Sequence, residues 1–453
     1  MYFFLQNVLA LMNQTITLYL IFPVILLFGL YLSIKLKGFQ VSRLRQSWHL
    51  LIHQKKEDVG NISHFEAIST VLAGNFGTGN ISGMAIAVTT GGPGALVWMW
   101  FMVFFGAAIQ YASCVLGVKY RQQNELGEYV GGPMYYLSRG LGKTKLARLF
   151  CILTIFSAIT VGNFAQINSM TLPLVNLGLD PFLSGFVIAL FVGLVLIGGI
   201  QRIAKIASMV VPIKAVLYIG FALTILVLNY QNILPALALM FRSAFDFQAV
   251  GGGLLGAAAF KAITIGFNRS IFATDAGTGI VPILQSGART SNPVEDGLVT
   301  LVAPFMVMVV CTLTGLILLV TGAWQQVGLK STNMVTYAFS QGLGHQTGEY
   351  VVIFCLILFG YTTILAWSYC AEKAIAYLFG TRSSRWFSYF YIALIPVGAI
   401  VEVDFVWLLA DISITLMLIV NLIGIIGLSK EVIESSRVYF NAEKNLKESP
   451  LQK

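Results

Sequence analysis

The chain has 453 residues, of which 57% are hydrophobic and only 10% are charged. A typical soluble domain has about 25% charged residues, so too few charges are present to cover a water-exposed surface. An ordinary soluble enzyme, a disordered chain and a disulfide scaffold are therefore excluded. The net charge of +9 fits either a nucleic-acid partner or a membrane surface, and the positions of the charges decide between them.

Eleven apolar runs follow one another along the chain, and a membrane-spanning helix needs roughly 20 apolar residues. Outer-membrane barrel strands have only about 10 residues of alternating polarity, so these longer, continuously apolar runs favour helices. No basic residue precedes the first run, which favours a retained helix over a cleaved signal peptide. The runs are 15–34, 66–89, 95–118, 146–177, 182–199, 209–228, 250–284, 298–321, 350–378, 387–401 and 405–428.

The basic residues divide unequally between the two sides of these runs. With the N-terminus outside, 24 of the 28 lysines and arginines, Lys214 among them, lie beside the inner ends. Only Arg242 and Lys330 lie outside, and the remaining two, Lys261 and Arg269, lie within a span. Because positive residues accumulate on the cytoplasmic side, this pattern predicts a multi-pass protein of the cytoplasmic (inner) membrane. Its N-terminus is expected outside and its C-terminus in the cytoplasm. The positive charge then indicates the lipid bilayer, and not nucleic acid, as the partner.

Two motifs that mark ligand sites in soluble proteins have other interpretations here. Gly251, Gly253 and Gly256 form G-x-G-x-x-G, but a dinucleotide site needs a preceding strand, whereas these glycines open an apolar helix and predict close helix packing. His49 and His53 lack an accompanying acidic residue, which favours an amphipathic helix at the membrane surface over a zinc site. The five cysteines lie in apolar stretches without a C-x-x-C pair and are predicted to be core residues.

Two of the runs contain residues that break helices. Four glycines and two asparagines stand within residues 74–83 of the second run, and the seventh run repeats the Gly-Thr-Gly triplet at 277–279. Glycine is unfavourable within a helix, and unwound backbone survives at membrane depth only where it lines a protein cavity. With the first helix set aside, the two runs begin two five-helix units of opposite orientation, and matching breaks in inverted halves indicate a transporter site.

This pattern predicts an all-α polytopic membrane protein with 11 transmembrane helices, one N-terminal helix followed by a 5+5 inverted repeat whose first helices are broken. A break exposes N–H groups that suit a carboxylate and carbonyl groups that suit a hard cation such as Na⁺. The alternative, that the glycines only permit close packing, does not account for Asn75, Thr78 and Asn80 or for the second break. The predicted segments are 1–60, 61–230 (first repeat), 231–428 (second repeat) and 429–453 (cytoplasmic tail).

These stretches resemble the alanine or glycine:cation symporter family, which has the inverted-repeat fold of the neurotransmitter:sodium symporters. The resemblance covers nearly the whole chain and rests on several blocks in the same order. The blocks are 74–83, GGPG at 91–94, WMW at 98–100, GGPMYY at 131–136, the polar residues of 162–169 and TTILAWSY at 362–369.

The resemblance implies a substrate site and sodium sites. The backbone around Gly77, Thr78 and Gly79 would hold a substrate carboxylate. Trp367 would close the pocket against a short side chain. The other implied lining residues are Gln166, Phe272, Ala276 and Thr363. For Gln166, Thr363 and Trp367, a structural role in interhelical hydrogen bonding or packing is the open alternative. The implied sodium ligands are the carbonyls of Ala73 and Phe76 with Thr362 or Thr363, and Asn80 for a second ion.

The second break departs from the family pattern, which usually reads Ser-Asn-Glu-Ala-Gly-Met-Gly-Ser-Ala-Pro. Residues 273–282 read Ala-Thr-Asp-Ala-Gly-Thr-Gly-Ile-Val-Pro, so the acid and both glycines remain while the flanking polar groups change. Asp411 fits the last span, but Ile414 and Thr415 stand where Asn-Gly is usual. Charges inside the membrane need partners or water, and Asp275 and Arg269 are close enough in sequence to pair.

The resulting hypothesis is Na⁺-coupled symport of a small neutral amino acid, alanine or glycine first, into the cell by alternating access. Na⁺ is the expected coupling ion, and no organic cofactor or enzymatic activity is expected. One alternative is a proton-coupled or differently selective amino-acid carrier of the same fold. A membrane-embedded enzyme or a channel is the alternative from another class.

Overall fold

The computed structural model describes residues 2–52, 60–246 and 254–448. These residues form helices that pack into one bundle, together with a short antiparallel hairpin in which Gln122 pairs with Val130. The elements of the first half are α1 (Tyr2–Ile16), α2 (Phe22–Lys35), α3 (Phe39–Ser42), α4 (Leu44–Ile52), α5 (His64–Asn75), α6 (Ser82–Gly91), α7 (Ala95–Lys119), β1 (Gln122–Gln123), β2 (Tyr129–Val130), α8 (Pro133–Tyr135), α9 (Thr144–Ser157), α10 (Ala165–Asn176), α11 (Pro181–Leu196) and α12 (Gly199–Leu228).

The secondary-structure elements of the second half are all helices in its described residues, joined by turns and loops. Its last helix, α23, forms the C-terminal tail, whose described part is therefore helical. The helices are α13 (Ile233–Ala244), α14 (Leu254–Thr274), α15 (Ile280–Gln285), α16 (Pro293–Thr300), α17 (Val302–Val320), α18 (Thr332–Leu343), α19 (His345–Phe379), α20 (Thr381–Ala393), α21 (Ile395–Ile400), α22 (Val403–Gly427) and α23 (Ser429–Glu448).

Seven helical stretches in the described residues are long and apolar enough to cross a membrane. They include α7, α12 and α22, and also helices joined by local irregularities. A π-helical turn over Ala158–Phe164, for example, connects α9 to α10. The stretches are Gln6–Lys35, Ala95–Lys119, Thr144–Asn176, Gly199–Leu228, Pro293–Val320, Gln346–Phe379 and Val403–Gly427.

The four remaining predicted runs are shorter or interrupted helices. The fifth run is α11, with 16 residues, and the tenth is divided between α20 and α21 near Pro396. The second and seventh runs are the two predicted broken helices, and both breaks are confirmed. The observed helices are thus consistent with eleven predicted spans.

The first break lies in a buried part of the bundle, at the end of α5. A capping box fixes the start of α5, where the Ser63 hydroxyl accepts from the Glu66 N–H and the Glu66 carboxylate accepts from the Ser63 N–H. From there α5 runs between α12 and α19, which also pack on each other. The second broken helix packs along α7 through α14 and α15.

Several sequence predictions concern residues around these helices. All five cysteines are buried and unpaired, as predicted. The predicted amphipathic segment forms α4, which contacts α5 and α16. His53, Gly251 and Gly253 lie outside the described residues. The four predicted segment boundaries stay predictions.

Candidate functional site

The first break is a short stretch of non-α backbone inside a fully buried region. α5 ends at Asn75, and the Phe76 N–H still donates to the Leu72 carbonyl. Gly77 is extended, residues Thr78–Asn80 form one 3₁₀ turn, and α6 begins at Ser82. The carbonyls at the end of α5 therefore lack helical partners and are available to other groups.

Glycine is required in this stretch because neighbouring side chains come very close to the backbone. A Cβ at Gly79 would lie 2.6 Å from a ring carbon of Phe272. A Cβ at Gly77 would lie 2.8 Å from the Thr363 Oγ1 and 2.9 Å from the Gln166 Oε1. Two oxygen atoms and an aromatic ring from three other helices thus converge on the break.

The second break follows α14 and is linked directly to the first. Its backbone enters the left-handed region at Asp275, with φ of 51°, and again at Gly277 and Gly279. The Asn75 amide of the first break donates to the Thr274 carbonyl at 2.7 Å, and the Asn421 amide from α22 donates to the Gly277 carbonyl at 2.7 Å. The two unwound segments therefore form one connected polar centre.

Gln166 occupies one of the N–H groups predicted to hold a carboxylate, that of Thr78. The Thr78 N–H and hydroxyl both donate to the Gln166 Oε1, at 2.9 and 3.0 Å. The Gln166 Nε2 in turn donates to the carbonyl of Val161, within the π-helical turn before α10. A side-chain carbonyl oxygen thus lies at the position where a substrate carboxylate oxygen is expected.

The two aromatic residues of the predicted pocket each pack closely on a glycine, Phe272 on one in the break and Trp367 on one in the π-helical turn. Trp367 is only 1% exposed and packs on Gly162, where a Cβ would lie 2.2 Å from the Trp367 Cβ. Phe272 packs on Gly79 and on the ring of Trp407, with ring centroids 4.7 Å apart. Gly77 to Gly79, Gln166, Phe272 and Thr363 are therefore in contact at the break, whereas Trp367 is placed one turn before Gln166 by its contact with Gly162. The binding roles of all these residues stay predictions.

Ala276 is described by its contact with α7. It is fully buried in the second break, and its methyl group faces α7, where a Cβ at Gly106 would lie 3.2 Å from the Ala276 Cβ. Ala276 thus packs between helices, and its predicted contact with substrate stays a prediction.

The implied sodium ligands gather around the carbonyls at the end of α5. The Thr363 hydroxyl donates to the Ala73 carbonyl at 2.8 Å, which joins α19 to α5. The Asn80 amide donates to the Asn75 carbonyl at 2.7 Å. The remaining two groups, the Phe76 carbonyl and the Thr362 hydroxyl, both accept from the ammonium of Lys214, at 2.7 and 2.5 Å.

The interpretation of Lys214 as one of the charges beside the inner ends of the spans is wrong. The residue lies near the middle of α12, its side chain is 0% exposed, and its ammonium lies beside the first break. A signal for this is present in the sequence, because the residue falls inside the predicted run 209–228. An ionisable residue at membrane depth is a functional candidate by default.

Arg269 pairs with Asp411 of α22 and not with Asp275. The Arg269 side chain is 3% exposed, and its guanidinium also lies over the rings of Phe272 and Trp407, 5.6 and 4.9 Å from their centroids. The sequence correctly requires a partner for this charge but does not identify it, because helix contacts decide which carboxylate is near.

Two broken helices whose buried breaks meet, inside a bundle of helices long and apolar enough to cross a membrane, are typical of a multi-pass secondary transporter. The pattern of the sodium:alanine symporter family matches residues 1–453, and the chain belongs to this family. This confirms the resemblance and the prediction of a transporter rather than an enzyme.

Two curated relatives and one solved structure illustrate these similarities. The "Sodium/alanine symporter AgcS" of Methanococcus maripaludis is 38% identical over 426 residues, which is 92% of this chain and 93% of the relative. The "Probable sodium/glutamine symporter GlnT" of Bacillus subtilis is 33% identical over 447 residues, 97% of this chain and 92% of the relative. The fold is similar to that of MhsT, crystallised with L-phenylalanine, with a TM-score of 0.60, 14% identity and coverage of 83% of this chain and 92% of that chain.

Proposed function

We propose that the chain carries a small neutral amino acid, alanine or glycine first, into the cell together with Na⁺. The observation that supports this most directly is the meeting of two kinds of group at the first break. The Thr78 N–H faces an amide oxygen of Gln166, while the carbonyls of Ala73 and Phe76 face a hydroxyl and an ammonium. A carboxylate and a cation are the ligands that suit such groups.

The contacts around the break also support a short substrate side chain. Phe272 packs directly on Gly79, so its ring leaves little width beside the backbone of the break, and Trp367 packs as closely on Gly162, one turn before Gln166. The names of two relatives mention alanine and glutamine, which places both among the amino acids to be tested. Selectivity between them depends on the volume that Trp367 leaves open.

One coupled Na⁺ supplies enough free energy for concentrative uptake. A single charge that crosses 100 mV contributes about 2.3 kcal/mol, and a tenfold ion gradient adds about 1.4 kcal/mol. Together these terms sustain roughly 500-fold accumulation. Alternating access would then arise from movement of one helix bundle against the other around the breaks.

The test is uptake of labelled alanine into proteoliposomes with an imposed Na⁺ gradient at equal pH on both sides. Uptake that rises with the gradient and is reduced by unlabelled glycine supports the proposal. Uptake that is indifferent to Na⁺ contradicts the proposed coupling to Na⁺. Competition by unlabelled glutamine but not by unlabelled alanine contradicts the proposed substrate. A conductance that does not saturate with substrate would indicate a channel.

Thr363→Val is expected to raise the Na⁺ concentration needed for half-maximal uptake severalfold. The change keeps the shape of the side chain but removes the hydroxyl that donates to the Ala73 carbonyl. A hydrogen bond of this kind contributes about 0.5–1.5 kcal/mol, and 1.4 kcal/mol is about tenfold in affinity. The measurement is the Na⁺ dependence of alanine uptake.

Thr224→Val is the matched control, since the Thr224 hydroxyl is exposed on α12 and donates only within its own helix. It should leave the Na⁺ dependence unchanged. If Thr363→Val also leaves it unchanged, the hydroxyl has no part in ion binding and Thr363 is a purely interhelical contact.

Trp367→Ala is expected to widen the range of accepted side chains, because it removes a large, fully buried side chain that packs one turn from Gln166. Larger neutral amino acids should then compete for alanine uptake, which a competition panel measures. Trp386→Ala is the control, since Trp386 is 73% exposed on α20. An unaltered competition profile for Trp367→Ala would remove this residue from the pocket.

Coupling to protons is a second candidate because of one specific observation. The ammonium of Lys214 bonds to two of the five groups implied as sodium ligands. An ion site whose ligands already bind an ammonium does not accept a second cation at the same position, because two like charges repel strongly in a buried environment. The contact therefore disfavours Na⁺ between Phe76 and Thr362 and leaves the proton as the alternative coupling ion.

A further inference from the structure

A cavity of about 460 Å³ lies between α2 and α23, and none of its described lining residues belongs to either break. Its walls are residues 31–35 of α2 and residues 430–441 of α23, and we name it the α2–α23 cavity. Two of the stretches that are long and apolar enough to cross a membrane, Gln6–Lys35 and Val403–Gly427, end at or just before these walls. Small-molecule sites have volumes of about 300–1,000 Å³, so the cavity is large enough for a small ligand.

Contacts with the bundle fix the position of α23. Ser436 is fully buried and shares a hydrogen bond of 2.7 Å with the Tyr111 hydroxyl of α7. Further along the helix, the Glu443 carboxylate pairs with the Arg43 guanidinium at 2.6 Å. These residues lie on the inner face of α23, and a different face of the helix lines the cavity.

The lining residues give the cavity a positive charge. Lys430, Glu434 and Arg437 are spaced four and three residues apart, so they share one face of α23, and all three are exposed. Lys35, the last residue of α2, lines the opposite wall, and its nitrogen lies 5.9 Å from the ring centroid of Tyr31. Glu434 is the one acidic side chain among the described lining residues, against three basic ones. Among the described residues, none of the three basic groups forms an ion pair.

An exposed apolar face of α2 leads directly into this cavity. Leu27, Leu30, Tyr31 and Ile34 are 64%, 42%, 38% and 67% exposed. Their spacing of three, one and three residues places them on one side of the helix. In a chain that crosses a membrane, such a face contacts the acyl chains of lipids. The apolar face and the positive cavity meet at Tyr31 and Lys35, where α2 ends.

An anionic phospholipid is the ligand that combines both features. Arginine binds phosphate through paired N–H groups and lysine binds it as a point charge, and basic residues beside a span attract anionic headgroups. We propose that the α2–α23 cavity binds the headgroup of one anionic phospholipid. Its phosphate lies between Lys35, Lys430 and Arg437, and its acyl chains lie along the exposed face of α2. A soluble phosphate would use the charges but not the apolar face.

The test is native mass spectrometry of the purified full chain in detergent, titrated with dioleoyl phosphatidylglycerol or with dioleoyl phosphatidylcholine. The two lipids have the same acyl chains and differ in the headgroup, which is anionic in the first and zwitterionic in the second. Wild-type protein should bind one molecule of phosphatidylglycerol at least about tenfold more tightly than phosphatidylcholine. Equal affinity for the two lipids overturns the proposal.

The double variant Lys430→Gln with Arg437→Gln should bind phosphatidylglycerol about thirtyfold more weakly, because each basic residue near an anionic lipid surface contributes roughly fivefold in affinity. Its affinity for phosphatidylcholine should not change. The matched control is Lys205→Gln with Arg382→Gln, which removes two exposed basic residues outside the cavity and should bind phosphatidylglycerol like the wild type. Retained affinity in the cavity variant, or an equal loss in the control, overturns the proposal.

Sodium phosphate distinguishes a lipid site from a site for a free anion. At a concentration equal to that of the lipid, it should not displace phosphatidylglycerol, because it gains nothing from the apolar face of α2. Displacement at equal concentration would assign the cavity to soluble phosphate and overturn the lipid site. Size-exclusion chromatography shows whether each variant is folded, and if the double variant is not, Arg437→Gln alone should weaken binding about fivefold. These measurements use no transported substrate, so their outcome is independent of the proposed function.

Discussion

Gly162→Ala should reduce alanine uptake by about tenfold or more, although it adds a single methyl group. The new Cβ would lie 2.2 Å from the Trp367 Cβ and 2.6 Å from its Cγ, far inside contact distance. Trp367 or the π-helical turn must shift to make room, and overpacking of this kind costs about 1–3 kcal/mol. Because Gly162 lies one turn before Gln166, the shift also reaches the contact between Gln166 and Thr78. Initial uptake rates in proteoliposomes give the measurement.

Gly220→Ala is the matched control for this change. Gly220 lies within α12, and, apart from its chain neighbours and the backbone of its own helix, no atom lies within 4 Å of the position that its Cβ would take. Alanine is the better helix former, so this variant should be at least as stable as the wild type. If Gly162→Ala transports as well as Gly220→Ala, the close packing of Trp367 on the π-helical turn does not control the site.

Asp411→Leu should lower the free energy of unfolding by about 3–5 kcal/mol, because it leaves a buried guanidinium without its counter-charge. The Arg269 side chain is 3% exposed, so water cannot replace the lost partner. Arg269→Met should have a similar effect through the uncompensated carboxylate. The measurement is thermal unfolding of the detergent-purified protein, in which size-exclusion chromatography gives the folded fraction that remains after heating.

The double variant Arg269→Met with Asp411→Leu should recover most of the loss, since apolar pairs of similar volume often replace buried ion pairs without cost. Asp404→Leu is the control, because its salt bridge with Lys330 is exposed on both sides and is worth about 1 kcal/mol or less. A double variant as unstable as the two single variants combined would mean that Arg269 and Asp411 act independently.

Much of the fold can be predicted from local sequence signals. The apolar runs predict the spans, and the glycines at 74–83 and 277–279 predict both breaks, because glycine favours unwound backbone and such backbone is tolerated at membrane depth only around a protein cavity. The resemblance also names Gln166 and Thr363, which contact the first break, and Trp367, which packs on Gly162 one turn before Gln166. These signals lie within one segment of chain and need no knowledge of its neighbours.

The partners of the buried charges cannot be predicted in the same way. The sequence requires a carboxylate for Arg269 and offers Asp275 six residues away, yet Asp411 on α22 is its partner. Lys214 fits the pattern of inner-end charges, although it lies at the first break. In both cases the deciding distance runs between helices that are far apart in sequence.

The sequence by itself determined that this protein spans a membrane many times and that two of its helices are broken, because hydrophobicity and glycine content act on each segment separately. The basic residues that give the net charge of +9 are also a local signal, since most of them lie near the ends of predicted spans. Only the tertiary structure decided which groups meet at the breaks. The packing of α5 between α12 and α19 puts an ammonium, a carbonyl and a hydroxyl in contact, and no local rule of sequence encodes a contact between three separate helices.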